Sequence, residues 1–175
     1  RDLRMSRGLG DVYKRQAFWF RFVMPYSSDI EAGLGRAVVN ALPEEQLNEY
    51  LGHRFEALCA EWLVEQAKRG KLPIPATAVS SWWGTNPAKR AQDDIDVLAA
   101  DRVSKRLVIG ECKYRESFDE SAEIDDLESK RGLVKGFAAS HFMLFCKHDV
   151  SAATKKKLAA REDWQIVTLK DMYID

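Results

Sequence analysis

Three strand-length runs crowded into residues 78–114 constrain this chain more than any other feature. Ala78 to Trp83 is the first, Asp94 to Ala100 the second and Arg106 to Tyr114 the third. Short turns separate them. Gly84 to Gln92 carries Gly, Asn and Pro, and Asp101 to Lys105 is polar. Connections this short suit hairpins, so a meander of adjacent antiparallel strands is expected. On the second strand, alternation puts Ile95 and Val97 on one face and Asp94 and Asp96 on the other.

Helical periodicity brackets the meander. Pro43 followed by Glu44 and Glu45 is a helix start. From there Glu45 to Arg69 reads as the strongest helix, with Phe55, Leu58, Cys59, Trp62 and Leu63 on one apolar stripe. Gly70 ends it, and Pro73 and Pro75 prevent its continuation. A second long helix is expected over Glu120 to Ala139, with Ile124, Leu127, Arg131, Val134 and Ala138 along one face. His141 to Cys146 is a continuous apolar run, the pattern of a strand buried on both faces. Ser151 to Arg161 reads as a short amphipathic helix and Gln165 to Leu169 as a last strand. The order is α-β-β-β-α-β-α-β, an α/β fold.

Composition sets the remaining limits. The 175 residues are 46% apolar and 31% charged, a globular balance able to bury one sizeable core. Basic and acidic residues number 27 each, which excludes a binder of nucleic acid that works by bulk charge alone. Residues 1–16 lack periodicity and resemble a translated sequencing-adapter tail, so they are expected to be foreign to the fold. They hold five basic and two acidic residues, and without them 22 basic and 25 acidic remain, a net of −3. Residues 17–44 read as an aromatic linker with a short helix, joined to an upstream region missing from this chain. Residues 45–175 form the main domain. Cys59, Cys112 and Cys146 sit far apart in apolar stretches and read as reduced, buried thiols of a cytoplasmic protein. His53, His141 and His148 lack zinc-ligand spacing. No apolar run is long enough for a bilayer span, and no export signal is expected.

The chemistry lies on the second and third strands. Glu111 and Lys113 stand at i and i+2, so they share a face, and Asp96 projects from the neighbouring strand of the hairpin. Charges in otherwise apolar strands are costly unless paired or holding a metal. Two neighbouring carboxylates disfavour ionising together, and a hard divalent cation such as Mg²⁺ or Mn²⁺ removes that conflict. Such an ion polarises a phosphodiester and acidifies its water. Lys113 would then position or deprotonate that water, or neutralise charge growing on the phosphate.

Asp96 with Glu111-x-Lys113 resembles the PD-(D/E)xK motif, and the element order resembles the α-β-β-β-α-β core of restriction-endonuclease-like folds, a mixed sheet flanked by helices. In that superfamily a Glu on the first core helix often completes the site, and Glu56 is the matching position. A closer resemblance covers nearly all of residues 17–175. Phe18-Trp19-Phe20-Arg21-Phe22-Val23, Ile30-Glu31-Ala32-Gly33, Gly52-His53-Arg54-Phe55-Glu56, Trp82-Trp83-Gly84, Asp94-Ile95-Asp96-Val97-Leu98 and Gly110-Glu111-Cys112-Lys113 are similar to domain of unknown function 234. That domain is the C-terminal part of archaeal-type ATPases, in which an AAA-type P-loop module and a winged helix come first. The resemblance implies a nuclease-like fold with Asp96, Glu111, Lys113 and Glu56 as catalytic residues, Asp96 and Glu111 as metal ligands, and DNA as partner. The Pro of the superfamily name is absent, since Ile95 precedes Asp96. No Gly-x-x-x-x-Gly-Lys-Ser/Thr occurs, so this chain should not hydrolyse ATP.

Simpler readings compete. Asp96, Glu111 and Lys113 could form a cross-strand salt bridge at a sheet edge, and Glu56 could be a solvated helix carboxylate. Asp94 at the strand mouth could serve as the ligand in place of Asp96. Lys89 and Arg90 could touch phosphates from the hairpin tip or simply be a solvated turn. Trp82 and Trp83 read as packing residues, one facing away from the other, and Lys155 to Lys157 as a wet helix face. The competing function is a nuclease-fold module without catalysis that binds DNA or a partner and regulates an attached ATPase.

Overall fold

The computed structural model describes residues 16–173. The expected foreign tail therefore lies outside the described residues, apart from Gln16. The chain divides into two compact units, one ending at Leu51 and the other beginning at Gly52.

The first unit is a run of irregular helical turns. A π-helical turn over Trp19–Val23 passes into a 3₁₀ turn over Met24–Tyr26, where Pro25 cannot donate to a regular helix. Gly33 adopts φ 84°, a left-handed conformation that breaks the next π-helical turn, Ile30–Leu34. A regular helix, α1 (Gly35–Ala41), follows. Phe22 is the buried member of the aromatic segment. Its ring lies 5.3 Å from Phe18 and 5.2 Å from Tyr50, the latter edge-on. Arg21 pairs with Glu49 at 2.8 Å.

Helix α2 (Glu44–Lys68) begins after Pro43 with Glu44 and Glu45 in its first turn, where acidic side chains complement the helix dipole. It ends in a Schellman motif. Lys71 N–H donates to Gln66 O at 2.9 Å and Gly70 N–H to Ala67 O at 3.1 Å, with Gly70 at φ 66°. Of the predicted stripe, Phe55, Cys59 and Leu63 are fully buried.

The second unit is built on a five-stranded mixed sheet. Its strands are β1 (Ala78–Asn86), β2 (Ala91–Asp101), β3 (Arg106–Lys113), β4 (Ala138–Cys146) and β5 (Trp164–Thr168), side by side in that order. β1, β2 and β3 form the expected antiparallel meander. β4 runs parallel to β3 and β5 parallel to β4. The parallel crossovers are made by α3 (Glu120–Ser129) and α4 (Ala152–Ala159). One sheet face packs Val97, Ala99, Val108, Met143 and Phe145 against Phe55, Cys59 and Leu63 of α2. The other packs Leu98, Leu107, Ile109, Phe142 and Leu144 against Ile124 and Leu127 of α3 and Leu158 of α4. Each large side chain buried this way contributes about 1.5–3 kcal/mol. β4 is buried on both faces, as its unbroken apolar run predicts.

Two expectations are corrected. The second helix does not reach Ala139 but stops at Ser129, two turns or more short. Gly132 follows, and Gly136 takes φ 78°, so this stretch turns and feeds β4 from Ala138. Ile95 and Val97 do not share a face, because they belong to opposite core layers. Between the pairs Ser80↔Leu98 and Trp82↔Ile95, β1 advances two residues and β2 three. The extra residue is a β-bulge at Asp96–Val97, which puts Ile95 back on the face of Leu98.

Candidate functional site

The bulge lies where β2 leaves β3. Their ladder ends at Val97↔Gly110, and one further antiparallel step brings Asp96 level with Glu111. There the Asp96 carboxylate takes over from the backbone, and its Oδ2 accepts the Cys112 N–H at 2.8 Å. Burial raises the Asp96 pKa, and the charges of Glu111, Glu56 and Asp94 raise it further against that one stabilising bond, to about 7. The predicted acids thus act on one another electrically.

Glu111 is buried, with both oxygens engaged. Lys113 Nζ lies 2.8 Å from its Oε1 and Lys130 Nζ 3.3 Å from its Oε2. Lys113 also reaches Glu123 of α3 at 3.0 Å. Burial would lower the pKa of Lys113, but its bonds to Glu111 and Glu123 prevail and raise it, so the amine is a cation at neutral pH. Lys130 is the least exposed charge of the group, its side chain 4% accessible, and lies 3.0 Å from Asp126 and 3.6 Å from Asp93. Burial opposes its charge too, and Glu111, Asp126 and Asp93 hold its pKa above the ordinary lysine value.

Lys89 extends the network. It pairs with Asp93 at 2.9 Å and with Asp126. Asn86 folds the hairpin tip back, its Oδ1 accepting from the N–H groups of Ala88 and Lys89 and its Nδ2 donating to Asp93 at 2.8 Å. Burial would raise the Asp93 pKa, yet Asn86, Lys89 and Lys130 bring it down to about 2. The result is an alternating chain, Lys89–Asp126–Lys130–Glu111–Lys113–Glu123, with Asp93 touching both Lys89 and Lys130.

The structure therefore brings Asp96, Glu111 and Lys113 together. Glu56 on α2 keeps a side chain 39% exposed, with His53 Nδ1 at 3.4 Å, and reaches Asp96 through its charge. Lys89 turns inward to carboxylates, and Arg90 occupies the tip at φ 52°. Asp94 is exposed opposite Trp83. Trp82 packs on the core while Trp83 is 69% exposed, the predicted division of that pair. Sequence reasoning missed Lys130, Glu123, Asp126 and Asp93. The available signal was Asp126 and Lys130 at i, i+4 on a helix end that also carries Ile124 and Leu127.

Among the described residues, no group of three or more His, Cys, Asp and Glu side chains stands close enough to hold a metal ion. Asp96 and Glu111 make a two-carboxylate set. That suits Mg²⁺, which keeps several waters and takes one or two carboxylates plus phosphate oxygens. The mutual repulsion recorded in Asp96 is what a cation would relieve. Cys112, whose N–H Asp96 accepts, is a half-buried thiol pushed well up by desolvation and by Cys59, which favours its protonated form. Cys59, Cys112 and Cys146 are free. A cavity of about 280 Å³ lined by Lys71, His141, Asp163 and Trp164, among others, includes none of the predicted site residues. None of the described helices is long and apolar enough to cross a membrane.

Comparison with known proteins gives the family and a likeness of fold. Residues 19–124, more than half of the chain, match the family model described as archaea bacterial proteins of unknown function, domain of unknown function 234. The uncharacterized protein MJECL04 of Methanocaldococcus jannaschii is 30% identical over 120 residues, covering 67% of this chain and 25% of its own length. The crystal structure of protein VC1899 from Vibrio cholerae superposes with a TM-score of 0.52 at 19% identity, over 75% of this chain and 33% of that one, a likeness of fold. The chain thus spans about a quarter of that relative and a third of that structure.

Proposed function

The chain belongs to this family of archaeal and bacterial proteins of unknown function, and from its site we propose a metal-dependent phosphodiesterase that acts on DNA. The observation that carries the reading is Asp96, a half-buried carboxyl pushed to about 7 beside the buried Glu111 carboxylate that two lysines flank. Structural salt bridges lower carboxyl pKa values, whereas this one is raised, as at sites built to receive a cation. On this reading the core is of the PD-(D/E)xK restriction-endonuclease-like type, and the domain follows an ATPase module in the longer protein. Its free thiols fit the reducing cytoplasm.

Asp96 and Glu111 hold Mg²⁺ or Mn²⁺. When bound, such an ion polarises a phosphodiester and acidifies a water. The Cys112 N–H fixes one oxygen of Asp96, which would orient the carboxylate toward an ion shared with Glu111. Lys113, kept protonated by Glu111 and Glu123, supplies fixed positive charge for the phosphate instead of acting as a base. Glu56 adds negative potential at Asp96 from α2. Arg90 at the hairpin tip is a phosphate contact, and Lys89 joins it only by giving up Asp93 and Asp126.

A second reading has its own support. With both oxygens of Glu111 taken by lysines, the pocket is neutralised from within, which suits a non-catalytic module that binds DNA or a partner and regulates the ATPase. A nicking assay on supercoiled plasmid with Mg²⁺ or Mn²⁺ separates the two. Cleavage by the parent, falling at least about a hundredfold in Glu111→Ala and Lys113→Ala, is expected of the enzyme. A folded parent that binds DNA and does not cut it is the module.

A further inference from the structure

We propose that Lys130 is the built-in counter-ion of Glu111, the cation that a divalent metal displaces to reach that carboxylate. The inference rests on the metal reading above and identifies what regulates metal entry. A carboxylate as buried as Glu111 needs a positive partner whenever no ion is bound. Two ammonium groups meet that need, and their geometry says which one yields. Lys113 holds Oε1 at 2.8 Å and has one other acceptor, Glu123. Lys130 holds Oε2 more loosely, at 3.3 Å, and already stands nearer to Asp126, at 3.0 Å. Asp93 waits at 3.6 Å. Lys130 can therefore leave Glu111 and remain paired with two carboxylates on α3 and β2. The exchange moves charge by one side-chain swing and makes or breaks no covalent bond.

The position of Lys130 in the chain supports such a swing. It is the residue that closes α3, with φ −81° and ψ −1°, and the turn containing Gly132 follows directly. A cation here also complements the negative end of the helix dipole, so Lys130 keeps a favourable environment after it lets go of Glu111.

Direct Mn²⁺ binding to the full chain, followed by calorimetry and by the spin-resonance signal of free Mn²⁺, tests the assignment. Lys130→Met removes the competing charge and is expected to bind Mn²⁺ roughly tenfold more tightly than the parent. Lys130→Gln, which keeps a donor for Asp126, is expected to do the same and serves should the Met variant not fold. Lys130→Arg keeps the charge and should bind no more tightly than the parent. Lys155→Met is the control for a general loss of positive charge, since Lys155 pairs with Asp149 and with none of the carboxylates that hold Lys130; its affinity should stay within about twofold of the parent. Mn²⁺ binding that is unchanged or weaker in folded Lys130→Met or Lys130→Gln overturns the counter-ion role and leaves the metal site standing. Equal tightening in Lys155→Met overturns it as well. No Mn²⁺ binding by the parent or by either neutral variant overturns the metal reading, and this inference with it.

Discussion

Asp96 stores a conflict that can be measured without any substrate. Its pKa rises from the ordinary 3.8 to about 7 because burial and then the charge of Glu111 penalise its ionised form. The native state therefore keeps a proton that the unfolded chain has already released between those two values. Stability contributed by the protonated form is present below about pH 4 and lost as pH rises towards 7, at up to about 1.4 kcal/mol per unit. Above 7 the full penalty stands, about 4 kcal/mol. Asp96→Asn removes the charge and keeps an oxygen for the Cys112 N–H. Without divalent ions its melting temperature should exceed the parent's at about pH 8 and match it at about pH 4. A lower melting temperature at the higher pH would mean that Asp96 is held ionised at no cost, and the case for a cation site would lose its main support.

At the scale of elements, β3 carries the site because one residue of it has no side chain. A Cβ built on Gly110 would come within 2.8 Å of the Phe145 ring and 2.8 Å of Val97. Both neighbours belong to the layer beneath α2, so β2, β3 and β4 close tightly one position before Glu111. Gly110→Ala should cost about 1–3 kcal/mol by overpacking, seen as a lower denaturant midpoint at unchanged slope. Undiminished stability would show that the strands can separate there and that the Asp96–Glu111 register is soft. This packing also explains what was legible beforehand. Period-two and period-3.6 apolar patterns encode burial, so the meander, β4 and the face of α2 could be read directly. The bulge at Asp96–Val97 could not, since it depends on pairing with β1. Nor could the early end of α3, where Lys130 interrupts the apolar face yet is buried by carboxylates from two other strands. Ion pairs between elements leave no periodic trace in the sequence, and the half of the site that comes from α3 consists of such pairs.

Across the whole molecule the same pairing decides how DNA could be held. Basic and acidic residues balance at 27 each, and many of the cations that could meet a phosphate are already spoken for. Lys89, Lys113 and Lys130 serve carboxylates around the site, Arg161 holds Glu128 and Asp163, and Lys147 holds Glu116. Binding of DNA by this chain must therefore exchange internal ion pairs for phosphate contacts, and each exchange releases fewer counterions than a free basic patch would. The logarithm of affinity against the logarithm of salt concentration should fall with a slope no steeper than about −3, because each neutralised phosphate adds about −0.9. Fluorescence anisotropy of a labelled duplex between low and physiological salt measures it. A slope near −6 or steeper would show that cations outside these ion pairs carry the contact. On the proposed reading a shallow slope would mean that this domain acts on DNA held by other parts of a longer protein, and the chain matches only 25% of the length of its archaeal relative.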